Sequence, residues 1–210
     1  MKKIMFNDKY GLTEAVLSGK KTQTRRIVPK DFFTWQWDFD GENLWWEDCN
    51  GDWHDARESK FAFRKGEIIA IAQSYKDTGV QSIPEEDDEF GCYDFPAEQT
   101  HGWNNKMFVR ADLMPHQIRI TNVRVEKLQD ISHEDCKREG VGVSATESRI
   151  GYPFSIPFKY FIGEDNPACK YSTPRDAYAV LIDKISGKGT WKSNPYVFVY
   201  DFELVKEESK

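Results

Sequence analysis

Along this chain, stretches in which apolar and polar positions alternate outnumber stretches with a helical repeat, and the two kinds do not take turns regularly. "KKIMF" (2–6) predicts a short strand, and "NDKYGLTEAVLSGKK" a short helix with Leu12, Ala15 and Val16 on one face and Leu17 widening it. Gly19 is placed to end that helix in a left-handed conformation, leaving Lys20 and Lys21 beside its exposed carbonyls. "TQTRRIV" then predicts a strand with Thr22, Thr24 and Arg26 on one face, Gln23 and Arg25 on the other, and Pro29 at its end. "ENLWWEDCNGDWHDA" predicts a hairpin turning at Asn50-Gly51, and "GEIIAIAQSY" a buried strand.

Residues 76 to 105, with the acidic "PEEDDEFG" at their centre, lack periodicity and predict an exposed insertion. "HQIRITNVRVEKL" predicts a strand whose apolar parity switches between Ile118/Ile120 and Val123/Val125, which a bulge near Thr121-Asn122 accommodates. "ISHEDCKREGVG" predicts a short helix capped by Ser132, with Asp135 completing a capping-box pattern and Gly140 as its stop. Residues 142 to 171 predict irregular loop. "STPRDAYAVLIDKISGKG" is the clearest helix, with Thr173 as cap, Pro174 and Asp176 in the first turn, and Ala177, Val180, Leu181 and Ile185 as the buried stripe. "NPYVFVYDFELV" is apolar on both faces and predicts a central strand. The sum is an α+β, mainly β fold: a small, partly open β-barrel with short helices at its ends, in one domain over 1–210 with insertions near 35–60, 76–105 and 142–171.

Charge narrows the function classes. A formal net charge of -6 over 210 residues excludes a surface that coats nucleic acid all over, but leaves room for a local basic site. No apolar run reaches membrane-spanning length and "MKKIMFNDKY" lacks a secretory pattern, so the expectation is a cytoplasmic protein without a membrane partner. The four cysteines, Cys49, Cys92, Cys136 and Cys169, are far apart in sequence and read as free thiols; no metal site and no cofactor are expected.

"SGKKTQTRR" (18–26) collects Lys20, Lys21, Arg25 and Arg26 within a few residues. A phosphate-binding loop fails, because the upstream glycine is missing and Gly-Lys is followed by Lys. Two readings stay open. One is a solvated helix end. The other is a site in which crowded cations lower a lysine's pKa until it serves as a base for a nearby threonine, with Arg25 or Arg26 contacting phosphates.

Taken with "RKGEIIAIAQSY", "IRITNVRVEKLQDISHEDCKREGV" and "GTWKSNPYVFVYDFEL", this stretch resembles the ASCH family of the PUA-like superfamily, and is most similar to its phage and prophage-type members. The match covers about half the chain. It implies a PUA-like barrel that binds RNA or a modified nucleoside or nucleotide in a cationic cleft. Small bacterial members are amidohydrolases acting on acetylated cytidine. Carried over by motif, their lysine, threonine and glutamate fall on Lys21, Thr24 and Glu139, with Thr24 attacking, Lys21 as base and Glu139 holding Lys21. On one straight strand residues 21 and 24 face opposite ways, so Lys21 must lie in the turn ahead of it. Lys20, Arg25, Arg26, Tyr75 and Trp191 are the expected ligand-binding residues; Trp191 either stacks a base or plugs the core. One departure stands out: the phage-type Val-Arg-Glu-Thr-Trp run reads Ile71-Ala72-Gln73-Ser74-Tyr75 here.

Overall fold

The computed structural model describes residues 1–29, 37–40, 44–47, 50–59, 62–84, 94–144, 159–162 and 171–205. It is α+β and mainly β. Its elements in chain order are β1 (Lys3–Ile4), α1 (Leu12–Leu17), β2 (Gln23–Ile27), β3 (Trp37–Phe39), β4 (Leu44–Glu47), β5 (Trp53–Asp55), β6 (Ile68–Ile71), α2 (Tyr75–Thr78), β7 (Ser82–Pro84), β8 (Asp94–Pro96), β9 (Gln117–Lys127), α3 (His133–Arg138), β10 (Val141–Ser144), β11 (Lys159–Ile162), α4 (Pro174–Ser186), α5 (Thr190–Ser193) and β12 (Tyr196–Leu204). Contacts divide them into two compact units, 1–6 with 68–119 and 204–210, and 7–67 with 120–203.

In the first unit β1 runs parallel to β6, and β6 pairs antiparallel with the start of β9. Its core comprises Ala70, Ala72, Tyr75, Ala97, Val109 and Met114. The expected exposed insertion has structure here: Ser74 caps α2, β7 pairs with β8, and Ala97 is buried. The acidic run at 85–89 lies outside the described residues.

In the second unit β12 lies between β9 and β2, with Val199 opposite Arg25 and Tyr200 opposite Thr24. Residues 197–200 are all buried, as a strand apolar on both faces requires. Among the described residues no ring of strands closes into a barrel. Along β9, Ile118 and Ile120 are buried, Thr121 and Asn122 are both exposed, and Val125 is buried. The parity switch therefore falls at the expected pair, inside a strand that stays continuous. The aromatic hairpin forms as β4 and β5, with Gly51 in the left-handed region, and gains β3 as a third strand.

Two expectations are corrected. The segment after 140 is not all loop: β10 and β11 pair antiparallel, and the Phe161 ring lies flat over Gly142, where a Cβ would come 2.2 Å from Cζ. Only a glycine leaves that ring its place. Residues 145–158 and 163–170 lie outside the described residues. The buried stripe of α4 is also rotated, to Pro174, Ala177, Tyr178, Leu181 and Ile182, while Ile185 is 39% exposed. Tyr178 brings more apolar area than Ile185, and the helix turns to bury it.

The "LQD" and "WKSNP" segments of the resemblance meet in space. The Gln129 side-chain amide donates to Trp191 O at 2.8 Å, and its backbone N–H donates to Asn194 Oδ1 at 2.8 Å. Asn194 adopts φ +45°, a conformation that asparagine tolerates better than most residues, and so ends α5.

Candidate functional site

The site is built around the start of β2. Gly19, at φ +73°, ends the α1 turn, and the Lys21 N–H reaches back to Ala15 O at 2.7 Å. Lys21 thus lies ahead of the strand, which begins at Gln23. Its ammonium donates to Gln23 O (2.7 Å), Glu139 O (2.8 Å) and Glu139 Oε2 (2.7 Å), so each of three protons has an acceptor. Lys21 is 2% exposed and Glu139 4%. Burial pushes the Lys21 ammonium below its ordinary pKa of 10.5, against the opposing pull of Glu139.

Arg25 shares the strand face of Gln23, and its side chain is fully buried. Its guanidinium forks. Nε and Nη2 reach Glu126 Oε1 at 3.1 and 2.6 Å, Nη1 reaches Glu139 Oε1 at 3.0 Å and Gln23 Oε1 at 2.5 Å, and Nη2 also lies 3.3 Å from Asp135 Oδ2. Burial works to lower the Arg25 pKa, but Glu139 and Glu126 outweigh it and hold the guanidinium above its usual range. Asp135 also receives Arg124 (3.0 Å) and Arg138 (3.4 Å), and Asp201 receives Arg124 (3.1 Å), Arg138 (2.7 Å) and Gln23 (2.7 Å). Burial alone would raise Asp135; Arg25, Gln23 and Arg124 hold it below its ordinary 3.8 instead. Lys21, Arg25, Arg124 and Arg138 thus meet Glu126, Asp135, Glu139 and Asp201 in one connected network that joins β2, β9, α3 and β12.

This answers why an acidic chain gathers cations at 18–26. Two of the four, Lys21 and Arg25, neutralise carboxylates inside the second unit. Lys20 is exposed and Arg26 half-buried, and burial lowers the Arg26 pKa.

Thr24 is elsewhere. It shares the opposite strand face with Arg26, Phe198 and Tyr200, is 5% exposed, and its hydroxyl makes no hydrogen bond to the described residues. The structure brings Lys21 and Glu139 together and leaves Thr24 out of their hydrogen-bond network. Tyr75 is a core residue of the first unit, 1% exposed, its hydroxyl accepting the Arg110 N–H at 2.8 Å and its ring packed on Gly102. Trp191 is half-buried, edge-on to Tyr178 at 6.2 Å with the Arg175 guanidinium 5.4 Å from its centroid. Cys136 is buried and its thiol is pushed up to about 12 by burial, so it stays protonated at neutral pH. Cys49, Cys92 and Cys169 lie outside the described residues, among which no group of His, Cys, Asp and Glu is arranged to hold a metal ion.

Beside the Lys21–Glu139 pair is a hollow of about 380 Å³, bordered by Tyr10, Lys20, Lys137, Gly140, Gly142 and Phe161. Its wall toward the pair is Gly140, at φ +101°, where a Cβ would lie 3.0 Å from Leu12 Cδ2 and 3.7 Å from Lys21 Cδ. Gly140→Ala is expected to lower stability by about 1–3 kcal/mol through backbone strain and crowding; urea denaturation against the parent measures it. Two rings and the Lys20 ammonium at one opening can hold a planar group and an anion together; the Lys137 ammonium there is paired with Glu134 at 3.1 Å, and Glu14 also borders the hollow. Ammonium groups of Lys9 and Lys184 lie 6.0 and 5.6 Å from the Tyr10 centroid and strengthen the positive field there.

Sequence reasoning named Lys20 but missed Tyr10, Lys137 and Phe161, and it missed Glu126, Asp135 and Asp201 as partners of the basic strand. Two signals pointed to the acids: Arg124 and Glu126 share one strand face at i, i+2, and Asp201 interrupts the apolar run from Tyr196 to Phe202 in the central strand. Comparisons with protein-family models, curated proteins and solved structures find no match to this chain.

Proposed function

We propose that this protein is an ASCH-type, PUA-like binding protein that holds RNA by a nucleotide, or a modified nucleoside, in the hollow beside Lys21 and Glu139. The observation that carries the reading is the hollow itself: Tyr10 and Phe161 offer ring faces for a base, and Lys20 offers charge for a phosphate, with Lys137 beside it able to exchange its exposed partner Glu134 for that anion. The pairing of Lys21 with Glu139 at 2.7 Å, across 118 positions of sequence, lends support, since the resemblance assigns those two residues to one site. The barrel of the PUA-like fold belongs to the same proposal.

The test is a binding titration of short single-stranded RNA by fluorescence anisotropy at low salt. Tyr10→Ala is expected to remove about 1–3 kcal/mol of binding, the worth of one base–aromatic stack. Lys20→Glu with Lys137→Glu is expected to weaken binding further and flatten its salt dependence. Unchanged affinity in both variants would overturn the reading.

An amidohydrolase is the second reading, favoured by the lowered Lys21 pKa, which suits a base. It requires Thr24 to act from the opposite strand face. Acetate release from acetylated cytidine, absent in Lys21→Ala and Thr24→Ala, would support it; no release from the parent would end it and leave binding standing.

A further inference from the structure

A second hollow of the same unit, about 630 Å³, is bordered by Arg57, Phe63, Arg64, Lys65, Asn122 and Val123. Its volume falls within the roughly 300–1,000 Å³ typical of small-molecule sites. One side is a turn fastened to β9. The Arg64 N–H donates to Glu67 Oε2 at 2.8 Å, the Gly66 N–H to Ile120 O at 2.7 Å, and the Ile120 N–H to Glu67 O at 3.0 Å. Arg64 and Lys65 project from this turn, exposed, and their side chains make no hydrogen bond or ion pair with the described residues. Two adjacent cations repel each other, and the one carboxylate of the turn, Glu67, accepts the Arg64 N–H and forms no ion pair with either side chain.

The rest of the hollow differs in kind. Phe63 and Val123 are half-buried, and the Phe63 ring is braced against Tyr200, centroid to centroid 5.2 Å at 59°. The Phe63 N–H donates to the Tyr200 hydroxyl at 3.3 Å, which fixes the ring's position further. Arg57 is no free cation: its Nε lies 3.0 and 2.9 Å from the two carboxylate oxygens of Asp55, so that pair forms a neutral wall. Glu58, exposed, also borders the hollow and adds one negative charge on that side.

An apolar ring held in place, with two adjacent cations at one end and the Asp55–Arg57 pair and Glu58 at the other, describes a receptor that orients a planar ring with its doubly charged anion toward Arg64 and Lys65. We propose that this hollow is a second ligand site, distinct from the one beside Lys21, and that it takes an aromatic phosphate monoester, with the ring on Phe63 and the phosphate on Arg64 and Lys65. Arg64 can meet two phosphate oxygens at once, and Lys65 adds a point charge. The inference does not rest on the nucleotide reading above, since it uses none of the same side chains.

The experiment is a calorimetric titration of the full chain with phenyl phosphate, with inorganic phosphate and phenol as the separated halves. Saturable 1:1 binding is expected, with each half weaker by about tenfold or more. Arg64→Gln with Lys65→Gln is expected to weaken phenyl phosphate by about tenfold or more. Both residues are exposed, so the fold is unaffected, which circular dichroism verifies. Phe63→Leu is expected to weaken phenyl phosphate but not inorganic phosphate. Lys20→Glu is expected to change neither, which separates this site from the hollow beside Lys21. Adenosine monophosphate and phosphotyrosine, run side by side, identify the source of the ring by whichever binds tighter. Absence of saturable phenyl phosphate binding, or equal affinity in the Arg64→Gln/Lys65→Gln variant, would overturn the proposal.

Discussion

Arg25→Met is expected to lower the unfolding free energy by about 3–5 kcal/mol at neutral pH. Methionine has about the right volume for the space, so a cavity is not the cause. The loss comes from what stays behind: Glu126, Glu139 and Asp135 all converge on the buried guanidinium, and without it they face one another at short range. Repulsion then raises their pKa values, and the variant relaxes by taking up protons. This gives the prediction a second reading in pH. In the parent, Asp135 has a folded pKa below its unfolded one, so its contribution is present above about 3.8 and is lost as pH falls through the folded value. In Arg25→Met the sign reverses for the stranded carboxylates, and the deficit against the parent narrows as pH falls from 7 toward 5. Arg25→Lys is expected to recover only part of the loss, because an ammonium cannot fork across three acids. Urea denaturation at pH 7 and pH 5 is the measurement, and a deficit below about 1 kcal/mol would show the network to be ornamental.

The second large effect concerns Lys21 and Glu139, and it is a difference between two variants. Glu139→Gln leaves a buried ammonium with two carbonyl acceptors and no carboxylate, whereas Lys21→Met leaves Glu139 still bound by Arg25 at 3.0 Å. Glu139→Gln is therefore expected to cost more, about 3–5 kcal/mol at pH 7, and Lys21→Met less. The double variant is expected to be more stable than the sum of the two losses implies, by about 1–3 kcal/mol. Lys21 already has a folded pKa below its unfolded 10.5, so the unfolded chain binds more protons between those values and stability rises with pH across that interval. Losing Glu139 removes the influence that opposes the shift, so in Glu139→Gln the interval extends to lower pH and the variant recovers stability between pH 7 and 9.5 more steeply than the parent. Strict additivity of the two changes would mean that the pair does not act as one.

Much of the local structure was legible because its causes are local. Ser132 and Thr173 accept the N–H three residues on, Gly19 and Gly140 take positive φ, and Asn50-Gly51 turns a hairpin, each for a reason contained within a few residues. The strand parity of 21–26 was legible too, and it separates Arg25 from Thr24. What stayed hidden depends on distant partners. No spacing in "SGKKTQTRR" indicates that Glu126, Asp135 and Asp201 are its counter-ions, because each lies more than 100 positions away. The α4 stripe keeps the expected Ala177 and Leu181 but exchanges Val180 and Ile185 for Tyr178 and Ile182 for a related reason: a helical period marks several adjacent faces as apolar, and the choice among them is made by the size of Tyr178. The pairing of β10 with β11 was hidden by the glycines and aromatics between 142 and 171, which mimic a loop until Gly142 is seen as the seat of Phe161.

The span between the basic strand and its acids also sets an order of events in the cell. The Gln23 amide donates to a carboxylate on Asp201, 178 residues later. At ribosomal speeds of about 5–20 residues per second, that partner is polymerised roughly 10–35 s after Gln23. For the first part of that interval, until Glu126 and Glu139 follow 101 and 118 positions after their partners, Arg25 and Lys21 stand as bare cations on a nascent chain, available to any passing polyanion or chaperone. The unit they belong to closes only after β12 has emerged, so nascent chains halted before residue 196 are expected to remain protease-sensitive across 18–28.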